Sequence, residues 1–127
     1  MEKPYWLRGI RGATTVKADE AFLVLEATAE LLQEVLKANQ IDDYDCIAAI
    51  FFSTTPDITS TFPAEAARQL GMTTVPLMCH QEIAVPNRLP LAIRLMMQIN
   101  TQKSQQEIKH IYLRDAVKLR PDLVSAQ

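Results

Sequence analysis

The sequence predicts an α+β fold, with helices packed on one face of a small β-sheet. Three observations carry that expectation. The spacing of apolar residues changes along the chain, from short strand-like clusters to a 3-and-4 helical spacing and back. Only three glycines (Gly9, Gly12 and Gly71) occur among 127 residues, so turns fall to Pro, Asp, Asn, Ser and Thr. The chain is 48% hydrophobic and 22% charged, an ordinary globular composition and too apolar for disorder. Its length suits one domain over 1–127.

Residues 5–16, YWLRGIRGATTV, are rich in aromatic and β-branched side chains and read as a strand. Gly9 and Gly12 within it imply a bulge or a close approach to the backbone. Residues 19–39 read as a helix. Phe22, Leu25, Ala29, Leu32 and Leu36 form its apolar stripe, and Asp19 is its expected N-cap. Residues 46–54, CIAAIFFST, read as a strand buried on both faces. Residues 63–70 read as a short helix, with Pro63 in its first turn and Gly71 beyond its end. Residues 73–80 read as a strand, and Pro76 confines it to a sheet edge or a bulge.

Residues 91–100, LAIRLMMQIN, read as a third helix. Residues 108–117 alternate and read as the last strand. Ile111 and Leu113 turn toward the helices, and His110, Tyr112 and Arg114 toward solvent or a site. The segment after Leu119 reads as an extended tail. One sheet face would then stay open yet apolar. A chain this short has too few elements to cover it, so association through that face is expected.

Several function classes are set aside by the same residues. The longest apolar run, Ile47–Phe52, has six residues against the roughly 20 of a membrane span. Met1-Glu2-Lys3-Pro4 precedes no apolar signal region, and Cys46 and Cys79 make no disulfide framework. A reduced, cytoplasmic protein is expected. Residues 18–45 hold eight acids and one base, which leaves the rest of the chain net positive. Seven scattered arginines without Lys/Arg runs do not suit nucleic acid, but they suit a small anion. Cys79 and His80 are adjacent in a strand and point to opposite faces, so they form neither a metal site nor a thiol–imidazole pair. Asp57, after Pro56, suits an Asx-turn. What remains is an Arg/Tyr/Glu group: Arg8, Arg11, Arg68, Glu82, Arg94 and Tyr112.

Five stretches carry a resemblance: RGIRGATTV at 8–16, TPDITSTFPAEAARQLG at 55–71, VPLMCHQEIAV at 75–85, IRLMM at 93–97 and IYLRDAVKLRPDL at 111–123. In this order they resemble the small, monofunctional, trimeric chorismate mutases of bacteria. The resemblance implies a mixed sheet with helices outside, three subunits forming a pseudo-α/β barrel, and active sites at the subunit interfaces. It implies an isomerase that rearranges chorismate to prephenate on the route to phenylalanine and tyrosine. No cofactor and no metal are expected. A [3,3]-sigmatropic shift transfers no proton and forms no covalent enzyme intermediate. It needs a dianion held in a compact conformer and positive charge at the breaking ether oxygen.

By the same resemblance, Arg11 binds a substrate carboxylate and Arg94 reaches the ether oxygen. Glu82 and Cys79 contact the ring hydroxyl, and Tyr112 contacts a carboxylate. The Met78, Cys79, His80 and Gln81 backbone lines the pocket. Phe62 and Arg68 complete the site, and Leu119 with the tail closes it. Arg8 matches no catalytic position. Met78 stands where some members have threonine, Glu65 where some have lysine, and Val85–Pro90 replace a Gly-rich loop. The competing readings are an imine deaminase of the same fold and a non-catalytic metabolite-binding trimer.

Overall fold

A computed structural model describes residues 3–119. Five strands form one mixed sheet: β1 (Trp6–Thr15), β2 (Ile47–Thr54), β3 (Leu77–Gln81), β4 (Ala92–Thr101) and β5 (Ile111–Tyr112), in the spatial order β3-β2-β4-β1-β5. Two helices, α1 (Ala21–Ala38) and α2 (Ala64–Gln69), join the core on one face. The expected α+β architecture with a one-sided helical layer is present. β1 and β2 both run antiparallel to β4, while the edge pairs β2–β3 and β1–β5 are parallel.

The middle of the sheet alternates between a covered and an open face, while Ala13, Thr15 and Ala92 are buried as well. Ile10, Gly12 and Thr14 on β1, Ile50, Phe52 and Thr54 on β2, and Ile93, Leu95, Met97 and Ile99 on β4 are buried beneath the helices. Gly12 is required there. A Cβ at this position would lie 3.2 Å from Leu31 of α1 and 3.3 Å from Leu95. No bulge interrupts β1, whose ten residues pair continuously with β4. The close approach was therefore the correct half of the expectation for its glycines. The one irregularity lies between β2 and β4, at Ile47/Ala49.

The largest correction concerns residues 91–100, expected as a helix and found as the central strand β4. Leu and Met favour helices, but the segment buries alternate residues, and that period-2 pattern decided its fate. Leu91, with φ 51°, turns the chain into the strand. β2 is buried on one face rather than both, because Phe51 is exposed on the open side. The strand expected at 108–117 keeps only Ile111–Tyr112. Arg114 takes φ 54°, and Arg114–Leu119 wind into a 3-10 helix, which buries Ala116 and exposes Val117. On α1 the buried residues are Val24, Ala27, Thr28, Leu31, Leu32 and Val35, so the stripe is rotated from the expected one and leaves Phe22 exposed. The edge position expected for the Pro76 strand holds, since β3 begins just after it.

Asp19 does not cap α1; Glu20 occupies that position without a side-chain bond. Asp19 reaches instead to the loop after β2. Its Oδ2 accepts from Thr59 N and Oγ1 at 2.9 Å each, and its Oδ1 from Ser60 N at 3.0 Å. The Ser60 and Thr59 hydrogen bonds hold its carboxyl at about 2 against an ordinary 3.8. A depressed carboxylate pKa stabilises the fold above the unfolded value, and that stabilisation is lost as pH falls through the folded value. Asp19→Asn is therefore expected to melt below the wild type at pH 7. The gap should shrink below pH 3.8 and close near pH 2. A gap that is unchanged by pH would contradict this role.

Candidate active site

The open face of the sheet carries the functional side chains in two cross-strand rows. The first runs Tyr112–Ala13–Arg94–Ser53–His80, one residue from each strand in direct register. The second runs Arg11–Met96–Phe51–Met78. Neighbouring strands lie about 4.8 Å apart, so side chains in adjacent rows and strands can meet one ligand. Arg11, Arg94, Tyr112, His80 and Phe51 line a pocket of about 250 Å³. His80 stacks on Phe51 with ring centroids 6.2 Å apart.

Arg94 is the centre of this arrangement. Its Nε lies 3.0 Å from Oε2 of Glu82, whose side chain is only 10% exposed. The Nε–H is nevertheless not aimed at that oxygen, and it is buried without a hydrogen-bond acceptor. A charge contact is made and a donor is left over. The guanidinium as a whole is 34% exposed and lines the pocket, so a charged group remains available to an anionic ligand beside its contact with Glu82. Ser53 Oγ donates to Glu82 Oε2 at 3.3 Å, and Arg88 lies 3.6 Å from Glu82 Oε1. Glu82 is placed by its own backbone N–H, which donates to Thr54 O at 2.8 Å just beyond β3.

Arg11 is held from its backbone. Its N–H donates to Nδ1 of His110 at 2.9 Å, one residue before the β1–β5 pairing begins at Gly12 and Ile111. This bond fixes Nδ1 as an acceptor.

The structure therefore gathers Arg11, Arg94, Tyr112, His80 and Glu82, with Met78 in the adjoining row. It does not bring the remaining candidates to this pocket. Cys79 turns to the opposite face and packs against the core. With Gln81 and Phe62 it lines a second hollow of about 320 Å³, which His80 also borders. Arg68, on α2, is exposed and paired with Glu65 at 3.0 Å. Leu119 ends the last 3-10 turn and does not line the pocket. The remaining tail, including Arg120, lies outside the described residues. Arg8 bonds Lys103 O and sits 5.2 Å over Trp6, away from Arg94. Asp57 accepts from Leu91 N and Thr55 Oγ1, so it ties loops together rather than closing an isolated turn.

Ser53, Phe51, Met96 and Arg88 were not singled out as site residues from sequence. Ser53 and Phe51 become visible once 92–101 is read as a strand, because antiparallel register then sets them opposite Arg94 and Met96. Among the described residues no group of His, Cys, Asp and Glu could hold a metal ion.

Known proteins share this framework. A model of chorismate mutase type I matches residues 7–123. Chorismate mutase AroH of Thermus thermophilus is 52% identical over 95% of this chain and 99% of its own length. Chorismate mutase AroH of Bacillus subtilis is 42% identical over 92% of each chain. A solved chorismate mutase from Clostridium thermocellum superposes with a TM-score of 0.83 at 44% identity, covering 85% of this chain and 96% of that one. With the match spanning both rows of the open face, the chain belongs to the chorismate mutase type I family.

Proposed function

We propose that this protein rearranges chorismate to prephenate in sites built between the subunits of a homotrimer. Arg94 supports the reading most directly: its partly exposed guanidinium, held by nearly buried Glu82, lines a pocket shared with Arg11 and Tyr112. The substrate is a dianion with an ether bridge. Arg11 and Tyr112 bind carboxylate, which favours the compact conformer that brings the reacting carbons together. The ether oxygen gains negative charge as its bond breaks, and Arg94 donates to it. Arginine suits both tasks, because it stays protonated and presents parallel donors. Glu82 keeps the Arg94 guanidinium in place and accepts from the ring hydroxyl. Together these effects must remove at least about 8 kcal/mol from the barrier to reach the lower range of enzymatic acceleration.

Phe62, Cys79 and Arg68 do not reach the pocket of Arg11, Arg94 and Tyr112 within one chain, which favours a composite site. One chain supplies Arg11, Glu82, Arg94 and Tyr112, and its neighbour supplies Phe62, Arg68 and Cys79. Exposed Phe51, Met78 and Met96 on the open face give that neighbour an apolar surface to cover. Purified protein mixed with chorismate should consume its ultraviolet absorbance and yield prephenate. It should also scatter light as a particle of three times the 14.3 kDa chain mass. A folded protein that leaves chorismate unchanged would overturn the activity, and a monomer at micromolar concentration would overturn the composite site. No helix among the described residues is long and apolar enough to cross a membrane.

A further inference from the structure

We infer that Arg88, on the loop between β3 and β4, is a positioning residue that acts through Glu82 and keeps Arg94 available to the substrate. The inference rests on the functional reading above and concerns the same site.

Glu82 is nearly buried and touches two guanidiniums from opposite oxygens. Oε2 meets Arg94 at 3.0 Å and Ser53, while Oε1 lies 3.6 Å from an Arg88 nitrogen. A carboxylate paired with Arg94 alone would cancel much of the positive charge on which the reaction depends. A second cation on the far oxygen draws the carboxylate's charge the other way and fixes its plane. The trio then carries one net positive charge. Arg94 keeps its contact with Oε2 while its side chain stays 34% exposed toward the pocket.

The loop is built to return Arg88 to this place. Asn87 takes φ 64°, a left-handed conformation that asparagine accepts readily, and Leu91 takes φ 51°, which a leucine adopts only when its surroundings impose it. Asp57 Oδ2 accepts from Leu91 N, and Thr55 Oγ1 accepts from Ala92 N, at 2.9 Å each. Among the described residues, Arg88 is the one cation lining the hollow of about 270 Å³ that also holds Asp57 and Glu82. A Gly-rich loop could not offer this charge.

The test is a double-mutant cycle on the trimeric protein, with chorismate as substrate. Arg88→Gln should lower kcat/KM roughly fivefold, mostly through kcat, because a partly exposed pair exerts a modest influence. Arg88→Lys should recover most of the loss. In a Glu82→Gln background, Arg88→Gln should change little, since its route to Arg94 is gone. An unchanged kcat for Arg88→Gln, or the same loss in both backgrounds, would overturn the inference. Should the wild type fail to turn over chorismate, the functional reading falls. Arg88 is then judged by chorismate affinity in the same four proteins, measured by calorimetry. Coupled effects on Kd would uphold it, and additive effects or no binding would overturn it.

Discussion

Arg94→Ala is expected to lower kcat/KM by at least about a thousandfold while leaving melting temperature and far-ultraviolet dichroism near wild type. Removing one well-placed donor to a developing oxyanion costs about 10²–10³ in rate. Arg94 carries both a donor and a full charge, so the upper end applies. Its side chain projects from the open face and is 34% exposed, whereas the core lies on the opposite face. The change leaves Glu82 with Ser53 and Arg88 as partners, so no carboxylate is stranded. Arg94→Lys keeps the charge but loses the planar fork, and should retain only part of the activity. A loss of less than tenfold in the alanine variant would remove Arg94 from the centre of the mechanism.

Phe52→Ala is expected to cost about 3–5 kcal/mol of stability, the range for truncating a fully buried aromatic ring. Phe52 is 0% exposed on the second strand of the sheet. Its cross-strand neighbour beneath the helices is Leu95 of β4. The flanking residues Phe51 and Ser53 line the pocket from the other face. A melting temperature lower by roughly 10–20 °C should follow, read at fixed protein concentration because assembly contributes to stability. A shift under about 3 °C would mean that the core is not organised around this residue.

Much of the fold was legible because local signals agreed with it. The 3-and-4 spacing in 19–39 marked α1, Pro63 and Gly71 bracketed α2, and Pro76 placed β3 at an edge. The stripe on α1 was misassigned because its apolar residues cover more than one face. Burial by the sheet selected the face bearing Leu31 and Val35 over the one bearing Phe22. β4 was lost to helix propensity, although Ile93, Leu95, Met97 and Ile99 alternate. That single error hid the cross-strand rows, and with them Ser53 and Phe51. Elimination left Arg11, Glu82, Arg94 and Tyr112 in a larger Arg/Tyr/Glu group, and only the family resemblance separated them and gave them roles. Spacing along the chain cannot show that a sheet sets Tyr112 level with Arg94, across 18 residues and three strands. The placing of Cys79 on the face opposite His80 was legible from strand alternation alone.

The most direct test of the composite site is complementation between two inactive variants. Arg94→Ala removes the cation from one half, and Arg68→Ala removes the expected contribution of the other. Each variant should be nearly inactive alone. Unfolded together and refolded as mixed trimers, they should regain activity. By random assortment, roughly a quarter of the interfaces join an intact half from each chain. Recovery toward about a quarter of wild-type turnover is the predicted result. Mixed trimers that form but stay as inactive as their parents would show that each site is built within one chain.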